Sequence, residues 1–434
     1  MKKQTPLITA LIFLSLIVIV AASTFIYNSQ SNFDSGAYNW TFYNSSGFVQ
    51  LNSSRLNGTY TSQIFNGGVI YALWDNFSWT SNAIGELSNN QIDEITSRTF
   101  GSGNMNMTGN VLLMHFNEPS ANTVPGSRDA EDFSGDGNHG DESGAITYNA
   151  VGKLNSAFDF DGTDEISAGS GANLDIVNNL TISGWVYLDT ISFGALVDMA
   201  WEGFSIENYA LISDGTGTVY FQWYNGGFQF CSSAGYWTTG GWMHAAATYR
   251  DGTVTIYKNG VQIIQCTGKP ALVIDIGNIL KIGRYQVGST GNFDGRIDEV
   301  AIWNKSLSAT EIIDVYKRGA LKLNLSVQSC SSADCSDATW NNLGSNLTSP
   351  QKLNLTSQYF RFKYDFLTDD ASYTPELYNV SIDYIPNSIP TVNLTSPQNN
   401  SYFNNQNSVL LNASIYDLDL NDLTVRFYGD GDLI

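Results

Sequence analysis

Closely spaced carboxylates are the first groups in this sequence that could do chemistry, because two carboxylates about 5 to 5.5 Å apart can hydrolyse a glycosidic bond with retention. On a strand, such a pair needs same-face positions, as in a Glu-x-Asp-x-x-Glu run, and no such run occurs. Glu202 and Glu207 lie an odd number of positions apart and Asp298 and Glu299 are adjacent, so the members of each pair point to opposite faces of a regular strand. Phosphate loops and local Ser/His/Asp arrangements are also missing, although a triad dispersed along the chain would leave no local pattern. The sequence therefore predicts a protein that is not an enzyme.

The four cysteines fall as two local pairs, Cys231 with Cys266 and Cys330 with Cys335. An even number of cysteines fits an oxidising compartment, so we predict two disulfides, with four free thiols as the alternative. The 3 histidines stand at no Cys/His spacing that builds a tetrahedral site, so a zinc motif is not predicted.

Acidic residues dominate the charge of the chain, with 41 Asp and Glu against 20 Lys and Arg and a net charge of -21. Binding to nucleic acid needs clustered cations, so we predict no nucleic-acid partner. Aromatic residues make up 13% of the chain and charged residues only 14%, and there are 40 glycines. This composition favours β-rich structure with many turns, and the length of 434 residues predicts about three domains.

An uncharged apolar stretch follows Lys2 and Lys3 and runs from Leu7 to Tyr27. It is long enough for a transmembrane helix, which needs about 20 residues, and the paired lysines would leave everything after it outside the cell. The alternative is a cleavable signal peptide that ends at the small residues 21–23. We therefore predict that residues 1–30 are a signal anchor or signal peptide and that the protein is displayed at the cell surface, or secreted if the signal is cleaved.

Asn-x-Ser/Thr sequons are frequent in the flanks of the chain, whereas Asn179 and Asn304 alone carry them between residues 110 and 319. This distribution predicts a glycoprotein whose central part is less decorated than its flanks.

Alternation of apolar and polar residues predicts strands, most clearly within residues 108–319. An Asn-Gly pair inside residues 253–265 predicts a hairpin with a two-residue turn. A Ser-x-x-Glu capping box that starts at Ser308 predicts a helix that ends near Gly319.

A series of sequence blocks carries a family resemblance. The blocks are LLMHFNE at 112–118, DFSGDGNHG at 132–140, GKLNSAFDFDGTDEIS at 152–167, LTISGWV at 180–186, GGWMHAAATY at 240–249, TIYKNGVQI at 255–263, LKIGR at 280–284 and FDGRIDEVAIWNKSLSATEI at 293–312. In this order they resemble the laminin-G-like, concanavalin-A-like jelly roll, a sandwich of two curved antiparallel sheets. The resemblance implies an all-β fold with a jelly-roll sandwich at 108–319. We expect smaller β-sandwich modules on both sides of it, and the apolar stretch described above predicts a transmembrane helix before them. A bridge between Cys231 and Cys266 would then join adjacent strands.

The resemblance also implies a structural calcium ion, because members of this family often hold one near the rim of the sandwich. Asp132, Asn138 and Asp298 are the predicted ligands, with Asp161 and Asp164 as weaker candidates, since carboxylate and amide oxygens suit Ca²⁺. The alternative is that these side chains cap turns.

Sugar binding needs flat rings beside hydrogen-bonding groups. Aromatic residues outside the family blocks are the predicted ligand-binding residues, and packing within strands is the alternative. They are Trp201, Trp223, Tyr224, Tyr236 and Trp237.

The two flanks resemble parts of one small β module that often accompanies such jelly rolls. Residues 320–386 resemble the module itself and residues 31–107 resemble its opening strands, so we hypothesise that the jelly roll is inserted into a single sandwich. Residues 387–434 resemble a linker and the start of an immunoglobulin-like domain, which we expect to be truncated because its last strands are missing.

The predicted function is that of a non-catalytic, envelope-anchored binding or adhesion protein. Its predicted partners are a glycan or, second, a surface protein, together with the membrane through the N-terminal helix. The alternatives are a structural surface stalk protein and the binding front end of a truncated glycoside hydrolase. The fold serves all of these roles, so the resemblance alone does not choose between them.

Overall fold

The computed structural model describes residues 23–434 apart from short gaps. The gaps are 69–70, 98–99, 125, 127, 202–205, 288–290, 346, 387–390, 397–411, 417–427, 430–431 and 434. The first elements are β1 (Ser23–Tyr27), α1 (Gln30–Phe33), β2 (Ala37–Asn39), β3 (Thr41–Tyr43), β4 (Val49–Leu51), β5 (Asn57–Thr61), β6 (Phe65–Asn66), β7 (Ala72–Ser81) and α2 (Glu94–Ser97).

The central elements are strands throughout. They are β8 (Asn110–Met114), β9 (Asp141–Ser143), β10 (Thr147–Val151), β11 (Ser156–Asp161), β12 (Glu165–Ser167), β13 (Asn179–Leu188), β14 (Phe193–Ala200), β15 (Glu207–Asp214), β16 (Val219–Tyr224), β17 (Phe228–Ser233), β18 (Trp242–Arg250), β19 (Thr253–Lys258), β20 (Val261–Cys266), β21 (Ile279–Ile282), β22 (Arg284–Tyr285), β23 (Gly291–Asn292) and β24 (Asp294–Trp303). The chain continues with α3 (Ala309–Ala320), β25 (Leu321–Cys330), β26 (Asn341–Gly344), β27 (Gln351–Ser357), β28 (Tyr359–Thr368), β29 (Leu377–Pro386), β30 (Thr391–Ser396), β31 (Asn412–Tyr416), β32 (Tyr428–Gly429) and β33 (Asp432–Leu433).

The central strands form a sandwich of two antiparallel sheets. The β13 sheet has the order β10-β11-β24-β13-β18-β19-β20, with β8 paired to β24. The β15 sheet has the order β17-β16-β15-β14-β21-β12-β9. Apolar side chains from both sheets, among them Val186, Phe221 and Ile297, are fully buried between them. The all-β sandwich expected from the sequence is therefore confirmed.

A second sandwich, which we call the split sandwich, is built from both flanks of the chain. One sheet has the order β27-β7-β29-β4-β3 with β1 beside β29, and the other has the order β2-β5-β28-β25-β26 with β6 beside β28. Strands before the central domain thus pair with strands after it, β5 with β28 and β7 with β29. In the core, Trp74 stacks on Phe360 with ring centroids 5.0 Å apart. The central sandwich is therefore inserted between two halves of one β-sandwich.

The split sandwich contains the end of the predicted transmembrane segment. Ser23–Tyr27 pairs with β29, and Tyr27 is buried in the core. The predicted helix through Tyr27 is therefore wrong for β1, because this stretch completes a sheet. Residues 1–22, on which the rest of the prediction depends, lie outside the described residues. In the part of the chain that the structure describes, no helix is long and apolar enough to cross a membrane.

The local predictions of a hairpin and a helix are confirmed. Strands β19 and β20 pair across Asn259 and Gly260, whose φ angles of 51° and 76° are the positive values that this turn requires. Helix α3 begins after Ser308, whose hydroxyl accepts from the backbone N–H of Glu311, while the Glu311 carboxylate accepts from the backbone N–H of Ser308.

The C-terminal segment predicted as a linker and a truncated immunoglobulin-like domain is described only in its strands. β30 pairs with β31 and β32 pairs with β33, and the rest of residues 387–434 lie outside the described residues.

Both predicted disulfides are present, Cys231–Cys266 and Cys330–Cys335. The first joins β17, the edge strand of the β15 sheet, to β20, the edge strand of the β13 sheet. It therefore links the two sheets at their edge strands, and the adjacent strands that it joins belong to different sheets.

We predict that replacing Cys231 and Cys266 together by Ser lowers the free energy of unfolding by about 2 to 4 kcal/mol, because the bridge restricts the unfolded chain. Urea unfolding of the full chain measures this loss. The matched control replaces Cys330 and Cys335, whose sequence separation is 5 against 35 for the first pair, so its loss should be smaller. A larger loss in the control would contradict the entropic explanation.

Candidate functional site

Three of the predicted aromatic ligand residues lie in the core of the central sandwich. Trp223, Tyr236 and Trp237 are 0%, 2% and 3% exposed. The indole N–H of Trp223 donates to the carbonyl of Ala271 at 3.2 Å, and that of Trp237 donates to the carbonyl of Ile212 at 3.3 Å. Their rings therefore leave no face for a sugar, and the prediction is corrected for these three residues because they pack inside the sandwich.

The other two predicted residues, Trp201 and Tyr224, lie at one end of the β15 sheet. Trp201 follows β14 and is half exposed, and Tyr224 ends β16 and packs edge-on against Phe228 with ring centroids 5.6 Å apart. β15 lies between β14 and β16, so the structure places both rings on the same rim. Phe228 and Phe230 are 42% and 48% exposed and extend this aromatic edge along β17.

The predicted calcium ligand Asp132 organises a turn. Its Oδ1 accepts from the backbone N–H groups of Leu113 and Ser134 at 3.0 and 2.9 Å, and its Oδ2 accepts from the Ser134 hydroxyl and the Asn138 backbone N–H at 2.9 and 2.8 Å. The Asn138 side chain donates to the carbonyl of Val111 at 2.8 Å. The structure thus brings Asp132 and Asn138 together, in the arrangement of a capped turn.

The third predicted calcium ligand, Asp298, has different partners. Its Oδ2 accepts from the backbone N–H groups of Lys153 and Leu154 at 2.8 and 2.9 Å. No hydrogen bond joins it to Asp132 or Asn138 among the described residues. The weaker candidates also organise turns, since Asp164 accepts from the backbone N–H groups of Ala145 and Asp161. Calcium binding stays a prediction.

A buried pair of carboxyl groups on the β15 sheet was not found from the sequence. Asp198 on β14 and Glu207 on β15 are fully buried on neighbouring strands, and the charge of Asp198 acts on Glu207. The Asp198 carboxyl also accepts from the backbone N–H of Gln286 at 2.6 Å, and that of Glu207 accepts from the Gln222 amide at 3.3 Å. Burial raises the pKa of both carboxyl groups, and the Asp198 charge raises the pKa of Glu207 further. Because both carboxyl groups are fully buried, neither is available to a glycosidic bond.

We predict that this pair makes the protein less stable as the pH rises. The pKa of each carboxyl is higher in the folded state than the value of about 4 in the unfolded chain, so the folded state binds more protons. The contribution of the pair to the free energy of unfolding is complete below about pH 4, and it is lost as the pH rises through the pKa values of the folded state. The contribution of this pair to the urea midpoint should therefore be larger at about pH 5 than at about pH 8. Glu207→Gln should flatten this dependence, whereas the exposed control Asp251→Asn should keep it; an unchanged slope in Glu207→Gln contradicts the assignment.

A pocket of about 280 Å³, which we call the junction pocket, lies where the central sandwich meets α3 and the loop after β28. Both aromatic rings and polar groups line it. The lining residues are Lys153, Trp185, Trp242, Asn259, Tyr316 and Asp369.

Stacked rings fix the wall of the junction pocket. Trp185 on β13 stacks on Tyr316 of α3, with ring centroids 5.6 Å apart and an interplanar angle of 27°. Both residues are only 2% exposed, so they give the pocket its shape, while Trp242 is half-buried and keeps ring surface toward solvent. The guanidinium of Arg296 lies 5.5 Å from the Trp242 ring centroid. Trp242 is therefore the ring that can meet a ligand.

The polar groups of the junction pocket are held in place by contacts within the protein. The Lys153 ammonium lies 4.6 Å from the Trp185 ring centroid and is bonded to the Asp369 carboxylate. Burial lowers the pKa of Lys153, and Asp369 counteracts this effect. The Asn259 Oδ1 accepts from the backbone N–H of His244 at 2.9 Å, which fixes the plane of the amide. The pocket thus presents an amide, an ammonium and a carboxylate beside the half-buried Trp242 ring.

Residues 160–313 match a family model described as the concanavalin A-like lectin/glucanases superfamily. The family resemblance predicted from the sequence blocks is therefore confirmed for the central domain. A comparison with curated proteins gives no match.

Several solved structures are similar to part of the chain. One is domain 4 of AbnA, a GH43 extracellular arabinanase from Geobacillus stearothermophilus in complex with arabinotriose, at 20% identity and a TM-score of 0.38, covering 48% of this chain and 98% of that one. Another is the CBM40 of the Ruminococcus gnavus IT-sialidase bound to alpha2,3 sialyllactose, at 13% identity and a TM-score of 0.32, covering 37% and 96%. A third is the Trypanosoma rangeli sialidase, at 14% identity and a TM-score of 0.35, covering 48% and 32%.

Proposed function

We propose that this chain, whose central domain belongs to the concanavalin A-like superfamily, binds a carbohydrate in the junction pocket. The observation that carries the proposal is the half-buried Trp242 ring beside an amide, an ammonium and a carboxylate around one cavity of about 280 Å³. Aromatic faces pack against the C–H groups of a sugar ring, and polar groups bond its hydroxyls. The lectins named in the superfamily description agree with this choice.

Each lining residue has a role in this proposal. Trp242 supplies the stacking face, and its ring packs edge-on against Tyr187 with ring centroids 5.8 Å apart. The Asp369 side chain is 45% exposed, so its carboxylate can accept from a sugar hydroxyl while it holds Lys153. The Asn259 amide, oriented by its bond to the backbone of His244, can donate from its NH₂ group.

We propose that the domain binds the sugar without hydrolysing it. Asp369 is the only carboxylate that lines the junction pocket in the described chain, whereas glycoside hydrolysis needs two. The Asp198–Glu207 pair is fully buried, so it is not available to a substrate. A protein ligand remains the second choice, and a stalk without a ligand or the front end of a glycoside hydrolase remain the alternatives.

We also propose that the protein acts outside the cytoplasm in adhesion to glycans at a surface. Two disulfides and no free cysteine in the described chain support an oxidising compartment. Attachment to an envelope through residues 1–22 is part of this proposal, and it rests on the apolar sequence there.

We predict that Trp242→Ala weakens glycan binding about 10-fold or more, which corresponds to about 1.4 kcal/mol, because the stacking face is lost. A glycan array on the full chain identifies the ligand, and titration calorimetry with that glycan measures the affinity. Trp40→Ala is the matched control. Trp40 is also a partly exposed tryptophan, 49% exposed, but it belongs to the split sandwich and does not line the junction pocket.

Two outcomes would contradict this prediction. If no glycan binds the full chain, the proposed function is wrong. If Trp242→Ala binds normally while Trp201→Ala or Tyr224→Ala does not, the ligand occupies the aromatic edge of the β15 sheet and the proposed pocket is wrong.

A further inference from the structure

A cluster of metal-ligand side chains lies where the segment between β7 and β8 meets the central domain. Candidate ligand atoms of Glu86, His115 and Glu299 all lie within 4.8 Å of one another. Glu86 belongs to that segment, His115 follows β8 and Glu299 belongs to β24. We propose that these three side chains bind a divalent transition-metal ion of the zinc class.

The distances in the cluster are close to those of a metal site. His115 Nδ1 lies 2.8 Å from Glu299 Oε1, and His115 Nε2 lies 3.0 Å from Asn89 Oδ1. Zinc binds nitrogen and oxygen ligands at about 2.0 to 2.2 Å, so two ligand atoms at a tetrahedral angle stand about 3.4 Å apart. A metal ion therefore replaces the hydrogen bond between His115 and Glu299 after a movement of only about 0.6 Å.

Buried oxygen atoms beside the cluster point independently to a cation. Glu118 Oε2 and Asp298 Oδ1 are buried and have no hydrogen-bond partner among the described residues. Asp298 directly precedes Glu299 on β24, and Glu118 lies three residues after His115. Buried carboxylate oxygens without partners are costly, and a divalent ion compensates them.

The cations that approach this region are already engaged. The Arg318 guanidinium is buried against the Glu94 carboxylate, and the Lys153 ammonium is bonded to Asp369. The Arg318 guanidinium also donates to the backbone carbonyl of Glu86 at 3.2 Å, so it lies beside the cluster together with His115.

The backbone at Glu299 is arranged to bring its side chain into the cluster. Glu299 has a φ of 53°, a left-handed value inside a strand, where the pairing of β13 with β24 also shifts register. Such strained residues persist where the surrounding structure demands them, often at ligand sites. At this bulge Asp298 accepts from the Lys153 backbone, whereas Glu299 contacts His115.

The donor set selects the class of metal ion. One imidazole nitrogen with carboxylate oxygens suits zinc and neighbouring transition metals, whereas Ca²⁺ takes oxygen ligands alone. Glu86 is partly exposed, so an ion can enter the site from solvent. The bound ion would tie the segment that carries Glu86 to β24 of the central sandwich.

Titration of the chelator-treated full chain with Zn²⁺ tests the proposal by calorimetry. We expect one Zn²⁺ per chain, with Glu86→Gln and His115→Gln each weakening binding by more than about 10-fold. The matched controls are Asp251→Asn, whose side chain is 82% exposed, and His139→Gln, and both should bind as the unmodified chain does. Co²⁺ in place of zinc should give a visible absorption that is lost in the two site variants.

Three outcomes would overturn the proposal. They are absence of Zn²⁺ binding, binding that neither site variant weakens, and binding of Ca²⁺ at this site as tightly as Zn²⁺. Glu86 is partly exposed, so Glu86→Gln decides the matter if His115→Gln fails to fold.

Discussion

Antiparallel pairing of β7 with β29 is the constraint on which the rest of the structure depends. These strands lie on either side of the whole central domain, and their hydrogen bonds form only if the two ends of that domain are close together. The central sandwich meets this condition because its first strand pairs with its last, with Asn110 opposite Trp303. An inserted domain with adjacent ends leaves the host sandwich intact. The boundary between the two sandwiches forms because the two ends of the inserted domain lie close together.

Polar side chains that are excluded from the two cores lie at the boundary between the sandwiches. The junction pocket takes Trp185 from the β13 sheet and Asp369 from the split sandwich, so neither sandwich forms it alone. Arg318 of α3 and Glu94 of α2 form a buried ion pair in the same region, with side chains 2% and 1% exposed. Removing one partner of such a pair leaves a buried charge, so the pair fixes how the segments dock. Ligand sites commonly occur at such domain interfaces.

Local patterns predicted the parts of the fold that depend on local chemistry. The Asn259-Gly260 turn, the Ser308 capping box and the paired cysteines each need only a few neighbouring residues. Alternation predicted the strands, but it does not tell which face is inside, so Trp223 is in the core while the adjacent Tyr224 is on the rim.

Contacts between distant positions were not predictable in this way. The cluster of Glu86, His115 and Glu299 joins three separate parts of the chain, and the bulge at Glu299 breaks the alternation that would place its side chain. The pairing of β1 with β29 is also long-range, and it has a mechanical consequence. Ser23 lies opposite Tyr384, so tension applied at these two points pulls on neighbouring strands from one end and peels them apart. The force is carried by the hydrogen bonds between β1 and β29 of the split sandwich. The inserted domain bears no force until these two strands separate.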